Sequence, residues 1–140
     1  MVKTLLLALF FSSLISTQSY AGIVEIIDVQ DSGIIYKGRS SVEKEGCRLF
    51  VPSKAQVVNF FNQAKTLPEG GAIEHEYYSP CIAIGKIVFK DGSTGRWTLQ
   101  SSGFGYVTFE DQKTTYFFYK NNSWFDPFAC TYGVGDEPKC

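Results

Sequence analysis

The sequence predicts an α+β domain: an antiparallel β-meander of four or more strands, packed with one amphipathic helix and fastened by two disulfides. Three observations carry that expectation. From Cys81 onward, apolar and polar residues alternate with period two in runs separated by short turn signals. Between Ser53 and Leu67 the apolar residues recur at helical spacing. Four cysteines, Cys47, Cys81, Cys130 and Cys140, follow an N-terminus that reads as an export signal.

That signal comes first in the chain. Lys3 supplies the positive n-region, Leu5 to Phe11 is an almost unbroken apolar run, and Ser19-Tyr20-Ala21 places small residues at a cleavage site before Gly22. The apolar stretch is short of the roughly 20 residues a membrane span needs. The expectation is a signal peptide over residues 1–21 and a single soluble periplasmic domain over residues 22–140. No cysteine follows the apolar run to take a lipid, and no later segment reads as a membrane anchor.

The elements follow in order. Ile23 to Val29 reads as a first strand, Asp31-Ser32-Gly33 as a turn, and Ile34, Ile35 and Tyr36 as a second strand. The polar stretch from Lys37 to Glu45 reads as a solvated loop or a strand edge. Ser53 followed by Gln56 matches a capping box, and Val57, Val58, Phe60, Phe61, Ala64 and Leu67 make the apolar stripe of a helix that Pro68 and Gly70-Gly71 end. Four strands then alternate with turns: Ile82 to Lys90, Gly95 to Ser101, Phe104 to Glu110 and Thr114 to Lys120. The turns are Asp91-Gly92, Ser102-Gly103 and Asp111-Gln112-Lys113. Trp97 and Leu99 share one face of their strand, with Arg96, Thr98 and Gln100 on the other.

Charge and cysteine usage bound the function. The net charge is −1, and Lys and Arg are scattered singly, against the basic cluster that nucleic acid requires. A basic amphipathic helix for a membrane surface is equally missing from the pattern. Four cysteines allow three pairings. Cys47–Cys81 with Cys130–Cys140 is preferred, and Cys81–Cys130 with Cys47–Cys140 is the rival. A metal site would want a C-x-x-C pair or several histidines, and His75 is the one histidine.

His75 lies in Glu74-His75-Glu76-Tyr77-Tyr78, where the functional reading is a general base or a metal ligand. In an extended segment Glu74 and Glu76 share one face and His75 points away, so an exposed loop is the better reading. No G-x-S-x-G elbow is present, and of the available carboxylates, Glu74, Glu76, Asp91, Glu110 and Asp126, the sequence singles out no two for glycosidase spacing. No catalytic residue, metal or cofactor is expected. Asn121-Asn122-Ser123 fits a glycosylation sequon only formally.

Aromatic residues are the surplus. Tyr116, Phe117, Phe118 and Tyr119 are consecutive, so a strand puts two on each face, and Trp124, Phe125, Phe128 and Tyr132 follow in a loop-rich tail. A second small core beneath the tail would absorb them. Exposed, they would anchor a protein interface or stack on sugars.

The stretch from Cys81 to Cys130 contains Gly85-Lys86-Ile87-Val88-Phe89-Lys90-Asp91-Gly92, Gly95-Arg96-Trp97-Thr98-Leu99, Gly103-Phe104-Gly105 and a Tyr/Phe-rich strand. In these segments, about a third of the chain, it resembles small exported immunity proteins of Gram-negative bacteria that neutralise interbacterial toxins, especially type VI secretion effectors attacking the cell wall. The resemblance implies a periplasmic inhibitor that occludes a toxin's active site, and it carries over no catalytic residue. Two loops are the candidate binding elements. Residues 69–79 bring Glu69, Glu74, His75, Glu76, Tyr77 and Tyr78; residues 121–135 bring Trp124, Phe125, Asp126 and Tyr132. The alternatives are a peptidoglycan- or glycan-binding module using Trp124, Tyr132 or Trp97, and a small envelope hydrolase. An exposed edge strand would allow a dimer.

Overall fold

The computed structural model describes residues 22–68 and 76–132. Its elements are β1 (Val24–Ile35), α1 (Ser41–Cys47), α2 (Lys54–Gln63), β2 (Lys65–Leu67), β3 (Cys81–Phe89), β4 (Thr94–Gln100), β5 (Phe104–Phe109) and β6 (Thr114–Phe118). All six strands form one antiparallel sheet in the order β1-β3-β4-β5-β6-β2. The α+β class and the four-strand meander of the sequence are there as β3 to β6. The proposed signal peptide, Glu69, Glu74, His75 and Cys140 lie outside the described residues.

The turns form where their chemistry places them. The Asp91 carboxylate accepts from the backbone N–H of Ser93 at 2.8 Å and from its hydroxyl at 2.6 Å. These bonds hold Asp91's pKa below the ordinary carboxylate value. Asp111 accepts from Lys113 N at 3.0 Å, and Gln112 takes the left-handed backbone at φ 68.

The N-terminal half corrects three expectations. The two strands expected on either side of Asp31-Ser32-Gly33 are one strand, β1, whose register against β3 shifts at Val29/Asp31 and Asp31/Ile34. The expected turn is an irregularity within the strand. Gly33 sits at φ +65, and a Cβ there would also press on the backbone of Cys47 and Arg48 at 3.1 Å, so glycine serves both needs. Much of the stretch from Lys37 to Glu45, read as a solvated loop or a strand edge, belongs to a second helix, α1, so the sheet is packed with two helices rather than one. Ser40 caps α1 with a full capping box to Glu43. Finally, α2 stops at Gln63, and Lys65–Leu67 pair with Phe118–Tyr116 as an edge strand. The open edge of β6 takes Leu67 from the helix, and the backbone groups of the two strands pair in an antiparallel ladder.

Helix α2 lies where the sequence set it, capped by the Ser53–Gln56 box. Its Val57, Phe60 and Phe61 are fully buried on one face of the sheet, here the inner face. Phe61 packs edge-on against Phe89, Trp97 and Phe117, with ring centroids 6.4, 6.0 and 5.5 Å away. Trp97 lies across β3 because Gly85 has no side chain: a Cβ there would strike both the Asp28 carbonyl oxygen and the indole. The indole N–H donates to Lys86 O at 3.1 Å. Burying such aromatic rings is worth several kcal/mol each, at about 25 cal/mol per Å² of apolar surface.

The disulfide joins Cys47, at the end of α1, to Cys81, at the start of β3, and both residues are fully buried. It is the described half of the preferred pairing. No described cysteine is free, and Cys140, the expected partner of Cys130, lies outside the described residues.

Candidate functional site

The two loops singled out from the sequence converge. Tyr77 from the first and Trp124, Phe125, Asp126 and Tyr132 from the second line a cavity of about 300 Å³, closed by Ser101, Ser102, Lys120, Asn122 and Ala129. Asp126 fastens the tail to the β4–β5 turn. Its Oδ1 accepts from Ser101 Oγ at 2.7 Å and from Phe128 N at 3.0 Å, and its Oδ2 accepts from Tyr132 OH at 2.7 Å. Ser101 Oγ stands 2.6 Å from Ser79 Oγ, which in turn accepts from Cys81 N. This hydroxyl chain ends on a carboxylate with three donors, which is the arrangement of a clasp. Tyr132's pKa rises above the ordinary tyrosine value, chiefly through burial and then through the Asp126 charge beside it.

The candidate aromatics divide between core and surface. Trp124 is buried, its ring packed on Phe50 and Phe60 with centroids 5.7 and 6.0 Å away, and its N–H donates to Ser101 O at 2.8 Å. Trp97 is buried more completely still. Neither indole face is presented to a ligand. Tyr77 is also buried, between Phe118 and Tyr132, with Lys120 Nζ 5.5 Å above its ring and 3.4 Å from its hydroxyl. Phe125 is 62% exposed and stands on the cavity rim. Glu76 is exposed.

Tyr78 belongs to a second surface, on the outer face of the sheet, opposite the face that carries Trp97 and Phe117. Register places Tyr106 of β5 opposite Tyr116 of β6, with ring centroids 6.1 Å apart. Tyr36, just past β1, is within hydrogen-bonding reach of Tyr106 and Gln100 and stacks on Tyr78 at 6.2 Å. The Arg39 guanidinium lies 4.9 Å over the Tyr78 ring and donates to its hydroxyl at 2.6 Å. Together Tyr36, Tyr78, Gln100, Tyr106, Thr114 and Tyr116 line a shallow hollow of about 410 Å³. Burial, and then the neighbouring Tyr106, raise Tyr36's pKa above the ordinary value.

Sequence reasoning found Tyr78 but not Tyr36, Arg39 or Tyr106. The strand register puts Tyr106 and Tyr116 on one sheet face, and Tyr36 reaches them from the end of the irregular β1. Among the described residues no group of three or more His, Cys, Asp or Glu could hold a metal ion, and no helix is long and apolar enough to cross a membrane. No protein-family model, curated protein or solved structure matches the chain.

Proposed function

We propose that this protein is an exported, periplasmic binding protein that occludes and inhibits a partner protein, a cell-wall-degrading interbacterial toxin being the class its sequence resembles. The observation that carries the reading is the outer-face hollow of four tyrosines and Arg39. Tyrosine and arginine are favoured anchors of protein interfaces, and tyrosine presents large area at low cost in conformational entropy. A sheet braced by a disulfide holds them in place before binding, so little ordering entropy opposes association. A second bridge, Cys130–Cys140, would fix the tail in the same way. The glycan reading named Trp124, Tyr132 or Trp97; the core occupies both indole rings, and Tyr132 gives its hydroxyl to Asp126.

The test is a pull-down with tagged residues 22–140 from periplasmic extract mixed with secreted proteins of the same and competing strains. The expected result is one stoichiometric hydrolase whose activity falls on binding, with Tyr106→Ala plus Tyr116→Ala weakening capture at least tenfold. A partner held equally well by that double variant would remove the tyrosine hollow from the reading. Recovery of cell-wall fragments without a protein would overturn it.

A further inference from the structure

We infer that Lys86 and Arg96 form a carboxylate seat on the outer face of the sheet, beside the tyrosine hollow, and that it takes one aspartate or glutamate side chain of a partner protein. This rests on the reading that the outer face binds a partner, and it names the chemistry that partner brings.

Lys86 of β3 and Arg96 of β4 stand directly opposite one another in the register, and both are exposed. Side chains so opposed have Cβ atoms about 4.5–5.5 Å apart, and like charges there destabilise the pairing. The ion pairs among the described residues are Arg39–Glu43, Arg48–Glu45 and Lys113–Asp111, so neither cation is held in one. A partner's carboxylate removes the repulsion. Its two oxygens accept from the Arg96 guanidinium and the Lys86 ammonium together. The seat is also firm: the Trp97 indole donates to Lys86 O at 3.1 Å and ties β4 to β3 beneath it.

Two carboxylates of the chain border the pair and limit how much negative charge it accepts. Asp28 of β1 is the register partner of Lys86, and Glu110, just past β5, lies one diagonal step from Arg96, which faces Thr108. Both are exposed. The order across the face is carboxylate, cation, cation, carboxylate. One carboxylate meets the two cations at the centre, whereas a nucleic-acid backbone or a run of acidic residues meets Asp28 and Glu110 with like sign. Neutral surface adjoins the seat. Lys86, Arg96 and Thr108 line one groove, Thr114 lines the tyrosine hollow, and the hydroxyls of Thr108 and Thr114 are 3.1 Å apart. A partner's carboxylate in the seat therefore has Tyr106 and Tyr116 beside it, ring area for an aromatic or aliphatic neighbour.

The experiment is an NMR titration of the full mature chain with an end-blocked Tyr-Glu-Tyr peptide. Tyr-Gln-Tyr, Tyr-Lys-Tyr and an oligothymidylate are the comparison probes. The expected result is binding of the glutamyl peptide about tenfold tighter than the glutaminyl one, with signal shifts at Lys86, Arg96 and Tyr106 that shrink as salt rises. Lys86→Gln plus Arg96→Gln should abolish that preference and leave the melting temperature unchanged or higher, since like charges no longer face each other. Equal binding of the glutaminyl peptide, equal or tighter binding of the lysyl peptide or the oligothymidylate, or shifts as large at Lys54 and Lys113 would overturn the inference. So would a clear fall in melting temperature in the double variant, which would give the two cations to the fold instead. The partner reading is tested apart in the pull-down. Capture lost in Tyr106→Ala plus Tyr116→Ala but kept in full in the glutamine double variant would leave that reading standing and remove the seat. Failure to capture any protein would remove the reading, while the peptide titration would still decide the seat.

Discussion

The two faces of the sheet are built from similar aromatic residues to different ends. On the inner face Trp97, Phe89 and Phe117 close around Phe60 and Phe61 of α2, and all five are almost fully buried. On the outer face Tyr36, Tyr78, Tyr106 and Tyr116 are half-buried, while Phe104, stacked on Tyr116, is buried. The hydroxyl makes the difference: it lets a ring sit at a water boundary and still offer area to a partner. Inner aromatics therefore hold the fold, and the four outer phenols keep part of their surface uncovered. The comparison teaches that aromatic content alone does not separate core from surface, and that sheet face does so only in part, since Phe104 is buried beside the half-buried tyrosines.

That contrast can be broken most forcefully from the inside. Phe60→Ala or Trp97→Ala should destabilise the domain by about 3–5 kcal/mol, through lost transfer energy and the cavity left behind. Urea unfolding followed by circular dichroism would read it; a loss under about 1 kcal/mol would mean the inner face is not the core. Next comes the bridge. Replacing Cys47 and Cys81 together by Ala should cost about 2–4 kcal/mol, by freeing the unfolded chain between them, read by the same urea unfolding.

On the outer face the balance should invert. Tyr106→Ala and Tyr116→Ala should each cost about 1 kcal/mol of stability or less, as half-exposed positions usually do, yet as interface anchors each should cost about 2 kcal/mol in partner affinity. A large stability loss there would erase the distinction between the faces. The cap of α2 is smaller: Ser53→Ala should lower stability by about 1 kcal/mol.

Alkaline pH offers the gentlest test. Tyr36 on the outer face and Tyr132 in the cavity both have folded-state pKa values raised above the ordinary value near 10, with burial the main cause. In the unfolded chain these phenols release their protons near pH 10, while in the folded chain they retain them to higher pH. The unfolded state then binds fewer protons, so their contribution to stability is whole below about pH 10 and is lost as pH rises beyond it. Tyr36→Phe plus Tyr132→Phe should flatten the fall in melting temperature above pH 10. An unchanged slope would show that other groups drive it.

What was legible in the chain follows from locality. The turns at Asp91-Gly92 and Asp111-Gln112-Lys113, the capped helix at Ser53 and the alternation of β3 to β6 are set by neighbours in sequence, and the sequence determined them. The cap of α1 was equally local: Ser40 and Glu43 have capping-box spacing, but a seven-residue helix leaves too short an apolar stripe to stand out from polar loop. The end of α2 and the unity of β1 were decided elsewhere. Leu67 joins a strand because β6 has an open edge, and Asp31-Ser32-Gly33 stays within β1 because β3 pairs on both sides of it. The sites needed the tertiary structure most. Tyr36 and Tyr106, or Ser102 and Asn122, are far apart or separated by a strand in sequence, and only packing brings them to one hollow or one cavity. Residue type and period determine which groups a chain offers; which of them meet, and which stay uncovered, is fixed by contacts between distant segments that no local pattern encodes.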